Sequence, residues 1–191
     1  MANSKIYLGS TNIGSLFQGA DDISIYLGQN KVYPLEEPFK WKAILSNGTT
    51  QSGACTSSTV LNGDLLPTNT VNLEVGNCVT ELSNFEGKLN SLSSCTISDS
   101  VTKIIGSTFR QKTLLKIVVV GSGVTSIERW AFNSCNRLES LTFKSIVPPT
   151  LGDAVFVNTN NCPIYVPSES VNAYKNADGW RSYADRIQAI P

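Results

Sequence analysis

The sequence predicts a mainly β chain with short helices, its last two thirds wound as a solenoid of about four 22–23-residue turns. Three observations point there. Three consecutive 23-residue blocks align without gaps: VTKIIGSTFRQKTLLKIVVVGSG (101–123), VTSIERWAFNSCNRLESLTFKSI (124–146) and VPPTLGDAVFVNTNNCPIYVPSE (147–169). A fourth, VTELSNFEGKLNSLSSCTISDS (79–100), is one residue short. Each block carries two apolar residues spaced by two: Cys95/Ile97, Val118/Val120, Leu141/Phe143 and Ile164/Val166. The surface chemistry is neutral: Ser, Thr and Asn fill more than a quarter of the chain, while charged residues make up only 16%.

Residues 1–37 precede the repeats. Three nine-residue units stand there: KIYLGSTNI (5–13), SLFQGADDI (15–23) and SIYLGQNKV (24–32). Each has an aromatic, a glycine two places on, and a closing aliphatic: Tyr7, Gly9, Ile13; Phe17, Gly19, Ile23; Tyr26, Gly28, Val32. Aromatic, turn glycine and aliphatic return predict tiny hairpins or a short meander. So short a piece cannot bury these residues by itself. It is therefore expected to dock on a partner or to pair with copies of the chain.

Residues 38–78 follow a Pro34/Pro38 boundary. Phe39, Trp41, Ala43 and Leu45 alternate with Lys40, Lys42 and Ile44, the pattern of a strand. Asn47-Gly48 is a hairpin turn signal. With Thr49 it also matches a glycosylation sequon, but the start, MANSKIYLGS, lacks the apolar stretch of an export signal, so a plain turn is expected. The segment reads as a small β unit capping the solenoid.

Residues 79–169 are the repeats. Column one is valine throughout (Val79, Val101, Val124, Val147); column four holds Leu82, Ile104 and Ile127; column nine holds Phe109 and Phe132. Phe85 comes early and Phe156 late, so the outer turns are degraded. Spacing of two puts both apolar residues of a column pair on one strand face. A single short strand cannot bury that face, but stacked parallel strands cover one another. The stretch between columns four and fifteen is expected to be a turn or short helix on the far side. The architecture is leucine-rich-repeat-like.

Residues 170–191 are expected to form a helical cap. Ser168 is the candidate N-cap, Val171 and Tyr174 share a face, Asp178-Gly179 interrupts, and Trp180, Tyr183 and Ile187 make a second apolar stripe.

Function classes narrow quickly. The chain has no histidine, which removes His triads and His metal sites. Fifteen basic residues balance fifteen acidic ones, so no nucleic-acid footprint is expected. The longest apolar run is four residues, at 117–120, far below a membrane span. Asp21-Asp22 and Glu36-Glu37 read as solvated turn acids, and Gly121-Ser122-Gly123 as a turn rather than a phosphate loop. Five cysteines, an odd number without CxxC spacing, are expected to be reduced and buried. No enzyme activity, metal or cofactor is expected. Arg129, Trp130 and Arg137 are a candidate contact patch, with Trp130 packing between repeats as the other reading.

The stretch V-T-x-I-x-x-x-A-F-x-x-C-x-x-L-x-x-L-x-F at 124–143 resembles the BspA-type bacterial leucine-rich repeat, which favours a small residue, Phe and Cys where this chain has Ala131, Phe132 and Cys135. The closing VPPTLGDAVF and IYVPSESVNAYKNADGWRSYADRI also resemble that family's C-terminal end. The nine-residue units, followed by a β segment and these repeats, resemble virion proteins of crAss-like tailed phages. That resemblance implies a non-enzymatic head-fibre, decoration or tail-fibre component, made in the host cytoplasm and located on the virion. Its partners would be capsid, fibre or tail proteins, other copies of itself, and a host-surface glycan or protein, with no membrane insertion. A bacterial cell-surface or secreted adhesin is the alternative.

Overall fold

The computed structural model describes the backbone of residues 6–7, 25–27 and 30–31, and residues 39–191 except 57. It divides into two units, 1–38 and 39–191.

In the first unit, β1 (Ile6–Tyr7), β2 (Ile25–Leu27) and β3 (Asn30–Lys31) form one sheet in the order β1-β2-β3. β2 and β3 are antiparallel with Leu27 opposite Asn30, the hairpin expected of the third nine-residue unit. β1 instead lies parallel to β2, with Ile6 beside Ile25 and Tyr7 beside Tyr26. A meander sets its neighbours antiparallel, so the meander expectation is corrected here. Ile-Tyr falls at the same place in the first and third units, and parallel in-register pairing sets like beside like.

The second unit opens with β4 (Phe39–Leu45) and β5 (Thr50–Ala54), an antiparallel hairpin turning at Gly48, whose φ is 82°. The remaining strands are β6 (Val60–Asn62), β7 (Thr70–Val75), β8 (Glu81–Ser83), β9 (Ser94–Ile97), β10 (Lys103–Ile104), β11 (Ile117–Val120), β12 (Ser126–Ile127), β13 (Ser140–Phe143), β14 (Thr150–Leu151) and β15 (Ile164–Val166). Helix α1 (Val171–Asn176) and β16 (Ile187–Ala189) close the chain. Two sheets result. One runs β16-β15-β13-β11-β9-β7-β4-β5, the other β14-β12-β10-β8-β6. All pairings in this unit are parallel except those of β4 with β5 and β7.

The repeat register is the expected one. Cys95, Val118, Leu141 and Ile164 are successive partners, as are Ile97, Val120 and Phe143. The repeat residues of these columns are buried in one core. The parallel ladder also reaches upstream of residue 79. Leu73 partners Cys95 in β9, and Leu61 partners Leu82 in β8, so β6 and β7 supply a further turn. In the last turn Leu151 partners Ile127, one residue later than the 23-residue spacing requires. Pro148-Pro149 absorbs the extra residue, and Val147 is 73% exposed instead of filling the valine column.

The far side contains turns rather than helices. Phe85, Phe109, Phe132 and Phe156 stack through it, with centroids 5.2, 4.9 and 5.8 Å apart. A third backbone ladder joins the turns. The N–H groups of Ser107, Phe109 and Gln111 donate to the carbonyls of Arg129, Ala131 and Asn133, and those of Trp130, Phe132 and Ser134 donate to Asp153, Val155 and Val157. Such alternation demands left-handed residues at fixed columns. Asn84, Ser107, Trp130 and Ala154 have φ of 53–61°, and Gln111, Ser134 and Asn158 of 58–60°. Tight stacking also explains a glycine: a Cβ on Gly121 would lie 2.4 Å from the Ser98 carbonyl oxygen of the previous turn.

Three expectations are corrected. Cys55 and Cys78 form a disulfide, Cα atoms 6.0 Å apart, so only Cys95, Cys135 and Cys162 are free and buried. The odd count pointed away from any bridge, but one bridge plus three core thiols satisfies it equally. Ser168 does not cap a helix: its hydroxyl bonds Glu169, and α1 starts after Ser170. The cap works through its aromatics. The Tyr174 hydroxyl donates to Ser145 O at 3.0 Å and the Trp180 indole to Pro149 O at 2.7 Å, both side chains fully buried. Ile187 lies on β16, which pairs in parallel with β15 and continues the sheet rather than a helical stripe.

Candidate functional site

Strand alternation decides which side chains face solvent. Between the buried columns of the eight-stranded sheet, two rows point outward. One runs Ile44, Asn72, Ser94, Ile117, Ser140; the other Lys42, Glu74, Thr96, Val119, Thr142, Tyr165 and Gln188. Ile44 is 43% and Ile117 45% exposed, while the buried residues beside them are near zero. Lys42 and Glu74 are the only charged members. Hydroxyl and amide groups interleaved with exposed aliphatics can hydrogen-bond and bury apolar area without desolvating many ions. A shallow cavity of about 320 Å³ lies at the β4–β7–β9 end, walled by Lys42, Ile44, Thr50, Asn72, Glu74, Ser94 and Thr96.

The second candidate lies on the turn side. Trp130 is half-buried; the Arg129 guanidinium lies 3.8 Å from its ring centroid and that of Arg110 5.3 Å. Arg110 also pairs with Glu86 at 2.8 Å. Beside them Lys103 pairs with Glu128 at 2.7 Å, and Gly106 N–H donates to the same carboxylate. These hydrogen bonds, that from Lys103 first, hold Glu128 below the usual carboxylate range. Arg137 is exposed later in the same repeat, and the Trp130 cluster is completed by Arg110 instead. Arg110 lies in the preceding repeat, a proximity that only the stacking of turns creates.

Of the expected docking residues, Tyr7 and Tyr26 are described by backbone alone, and Gly9, Ile13, Phe17, Gly19, Ile23, Gly28 and Val32 lie outside the described residues. Among the described residues there is no group of three or more metal-ligating side chains. No described helix is long and apolar enough to cross a membrane. The outward rows could have been found in the sequence, since they are the residues between and before the paired apolar columns.

The profile of the BspA type leucine rich repeat region matches residues 69–177 in six copies, more than half of the chain. The chain belongs to the BspA-type leucine-rich repeat family. This BspA-type match begins at β7, upstream of residue 79, in agreement with the ladder. A solved leucine-rich repeat protein from Bacteroides capillosus is similar to this BspA-type chain at 21% identity, covering 68% of this chain and 94% of that one, with a TM-score of 0.39. No curated protein matches it.

Proposed function

We propose that this BspA-type chain is a non-catalytic display protein of a virion surface, a head-fibre, decoration or tail-fibre component. Residues 1–37 dock it on the particle through Tyr7, Phe17 and Tyr26, with Gly9, Gly19 and Gly28 allowing the turns. The repeat unit then meets a partner protein or the host surface. The observation that carries the contact role is the outward face of the eight-stranded sheet, with exposed Ile44 and Ile117 set among neutral polar rows. Repeat solenoids offer extended faces of this kind for binding. The Arg129–Trp130–Arg110 cluster is a second contact surface, built from residue types that dominate interface energetics.

A bacterial surface adhesin is the second reading, favoured by the Cys55–Cys78 disulfide. Such bonds persist outside the reducing cytosol. Mass spectrometry of purified particles and of washed cell envelopes separates the two. Recovery with particles, lost when the chain starts at Phe39, supports the virion reading. Recovery only in envelopes overturns it in favour of the adhesin.

A further inference from the structure

The sequence contains two Asn-Gly pairs, Asn47-Gly48 and Asn62-Gly63. Asparagine is chemically labile, most of all before glycine. The glycine amide nitrogen, freed of its proton by base, attacks the asparagine side-chain carbonyl carbon. Glycine permits the approach because it has no Cβ and its backbone turns freely. By chain order alone the two pairs are alike. The fold treats them differently.

Both side chains begin from the same local arrangement. Asn47 Oδ1 accepts from the Thr49 backbone N–H at 3.1 Å and from the Thr49 hydroxyl at 2.8 Å. Asn62 Oδ1 accepts from the Asp64 N–H at 3.0 Å and from the Asn84 amide at 3.3 Å. Each carbonyl oxygen thus has two donors where negative charge gathers once the carbon beside it is attacked. Activation is shared, and what separates the two sites is room to move.

Asn47, Gly48 and Thr49 are exposed at the tip of the β4–β5 hairpin. A Cβ added to Gly48 would meet no atom within 4 Å. The Gly48 N–H donates to Leu45 O at 2.9 Å, a bond at the solvent end of the hairpin. Gly63 is buried, and a Cβ there would lie 2.5 Å from the Asn84 carbonyl oxygen and 3.1 Å from the Phe85 ring. Asn62 is extended, with ψ 140°, and stands opposite Ser83 of β8. Bringing the Gly63 nitrogen onto its neighbour's side chain requires turning this backbone, which parts β6 from β8 and disturbs the fully buried Phe85. Exposed tips open at little cost, whereas core strands open only near the cost of global unfolding.

We propose that Asn47 is a self-modification site, ageing to aspartate and isoaspartate, and that the fold shields Asn62 from the same reaction. The deprotonated Gly48 nitrogen forms a bond to Asn47 Cγ. The Cγ–Nδ2 bond breaks, the leaving nitrogen takes a proton from water and departs as ammonia, and a cyclic imide remains. Water then opens the ring: attack at one carbonyl gives aspartate, at the other isoaspartate. One water is consumed and one ammonia released, with no change of oxidation state. Either product adds a negative charge to a chain whose fifteen basic and fifteen acidic residues balance. The charge arises in the turn between Ile44 and Thr50, both walls of the shallow cavity on the outward face. Isoaspartate also lengthens the backbone of that turn, against the register that sets Ile44 opposite Thr50. The reaction needs no partner, and it stands whichever particle or surface carries the chain.

The test incubates the folded full chain in mildly alkaline buffer and digests it into peptides that separate the two sites. Mass spectrometry follows the replacement of amide by carboxyl at each asparagine. Asn47 should convert about tenfold faster than Asn62, or more, because only the tip opens readily. In urea, with the disulfide reduced, the two rates should converge. Thr49→Val removes one donor to Oδ1 and should slow Asn47 in the folded chain but not in the unfolded one. Equal rates in the folded chain overturn the proposal. So does faster conversion at Asn62, or an inert Asn47 in the folded chain when the unfolded chain converts. An unchanged rate in folded Thr49→Val overturns the activating role of Thr49.

Discussion

Two aromatic residues two positions apart show how differently one turn uses its side chains. Phe132 is fully buried, stacked 4.9 Å from Phe109 and 5.8 Å from Phe156. Truncation opens a void in a stack that backbone ladders hold at fixed spacing, so collapse is limited. Phe132→Ala should cost about 3–5 kcal/mol, measured by urea unfolding; a loss under 1 kcal/mol would contradict a shared core. Trp130 sits at φ 61°, in a column otherwise held by Asn84, Ser107 and Ala154. A bulky residue in that region is strained by roughly 1–2 kcal/mol, and asparagine tolerates it better. Relief of strain and loss of the guanidinium contacts oppose each other. Trp130→Asn should therefore leave stability within about 1 kcal/mol of the unaltered chain. A loss above 2 kcal/mol would make Trp130 a packing residue instead.

At the scale of elements, the crossing from β5 to β6 is held by specific bonds. It carries the chain from one sheet to the other and is pinned twice, by the Cys55–Cys78 bridge and by the Lys40 ammonium on Ser58 and Thr56. The bridge closes a loop of 23 residues in sequence separation, containing β6 and β7. Loop-closure entropy assigns such a bridge roughly 3 kcal/mol. Replacing both cysteines by serine should lower the unfolding midpoint and speed exchange first in residues 39–62. Thiol titration in denaturant without reductant should find three groups. Five would show that the bridge does not form. Elsewhere the links are held by stacking. The Thr102, Thr125 and Thr150 hydroxyls each donate to the carbonyl of a threonine one turn earlier, so the column-two threonines Thr80, Thr102 and Thr125 form a hydrogen-bonded ladder along the five-stranded sheet, which Thr150 extends although it stands opposite Ser126.

The whole molecule carries its titration behaviour in its core. Burial pushes the Cys135 thiol up to about 12 and raises Cys95, Cys162 and Tyr174 as well. Cys135 donates to Phe109 O at 2.9 Å, so its protonated form is also the bonded one. In the unfolded chain thiols ionise near 8.5 and phenols near 10. The folded state therefore binds more protons above about pH 8.5. Stability is complete below that pH and falls as pH rises towards the folded values. Lys112 acts oppositely: burial lowers its pKa, so its contribution improves as pH approaches the usual lysine range. Three thiols and a phenol outweigh one amine. The unfolding free energy should decline between pH 9 and 11, by up to about 1.4 kcal/mol per pH unit for each thiol. Cys135→Ala should flatten that slope, and a flat profile in the unaltered chain would place the thiols in water.

The repeat period, the buried column pairs and, in the last segment, the apolar role of Tyr174 and Trp180 were legible because they follow from local spacing. Alternation on a strand and recurrence every 23 residues are properties of the chain order alone. Two-residue spacing fixed which side chains of β9, β11, β13 and β15 face the core, and with them which face solvent. What joins distant residues was decided only by stacking. The Cys55–Cys78 bridge and the seating of Arg110 on Trp130 each need the lateral distance between turns or between sheets. The left-handed columns were hidden for a related reason: ladder hydrogen bonds impose that backbone on serine, tryptophan and alanine, residues whose own preferences would not choose it.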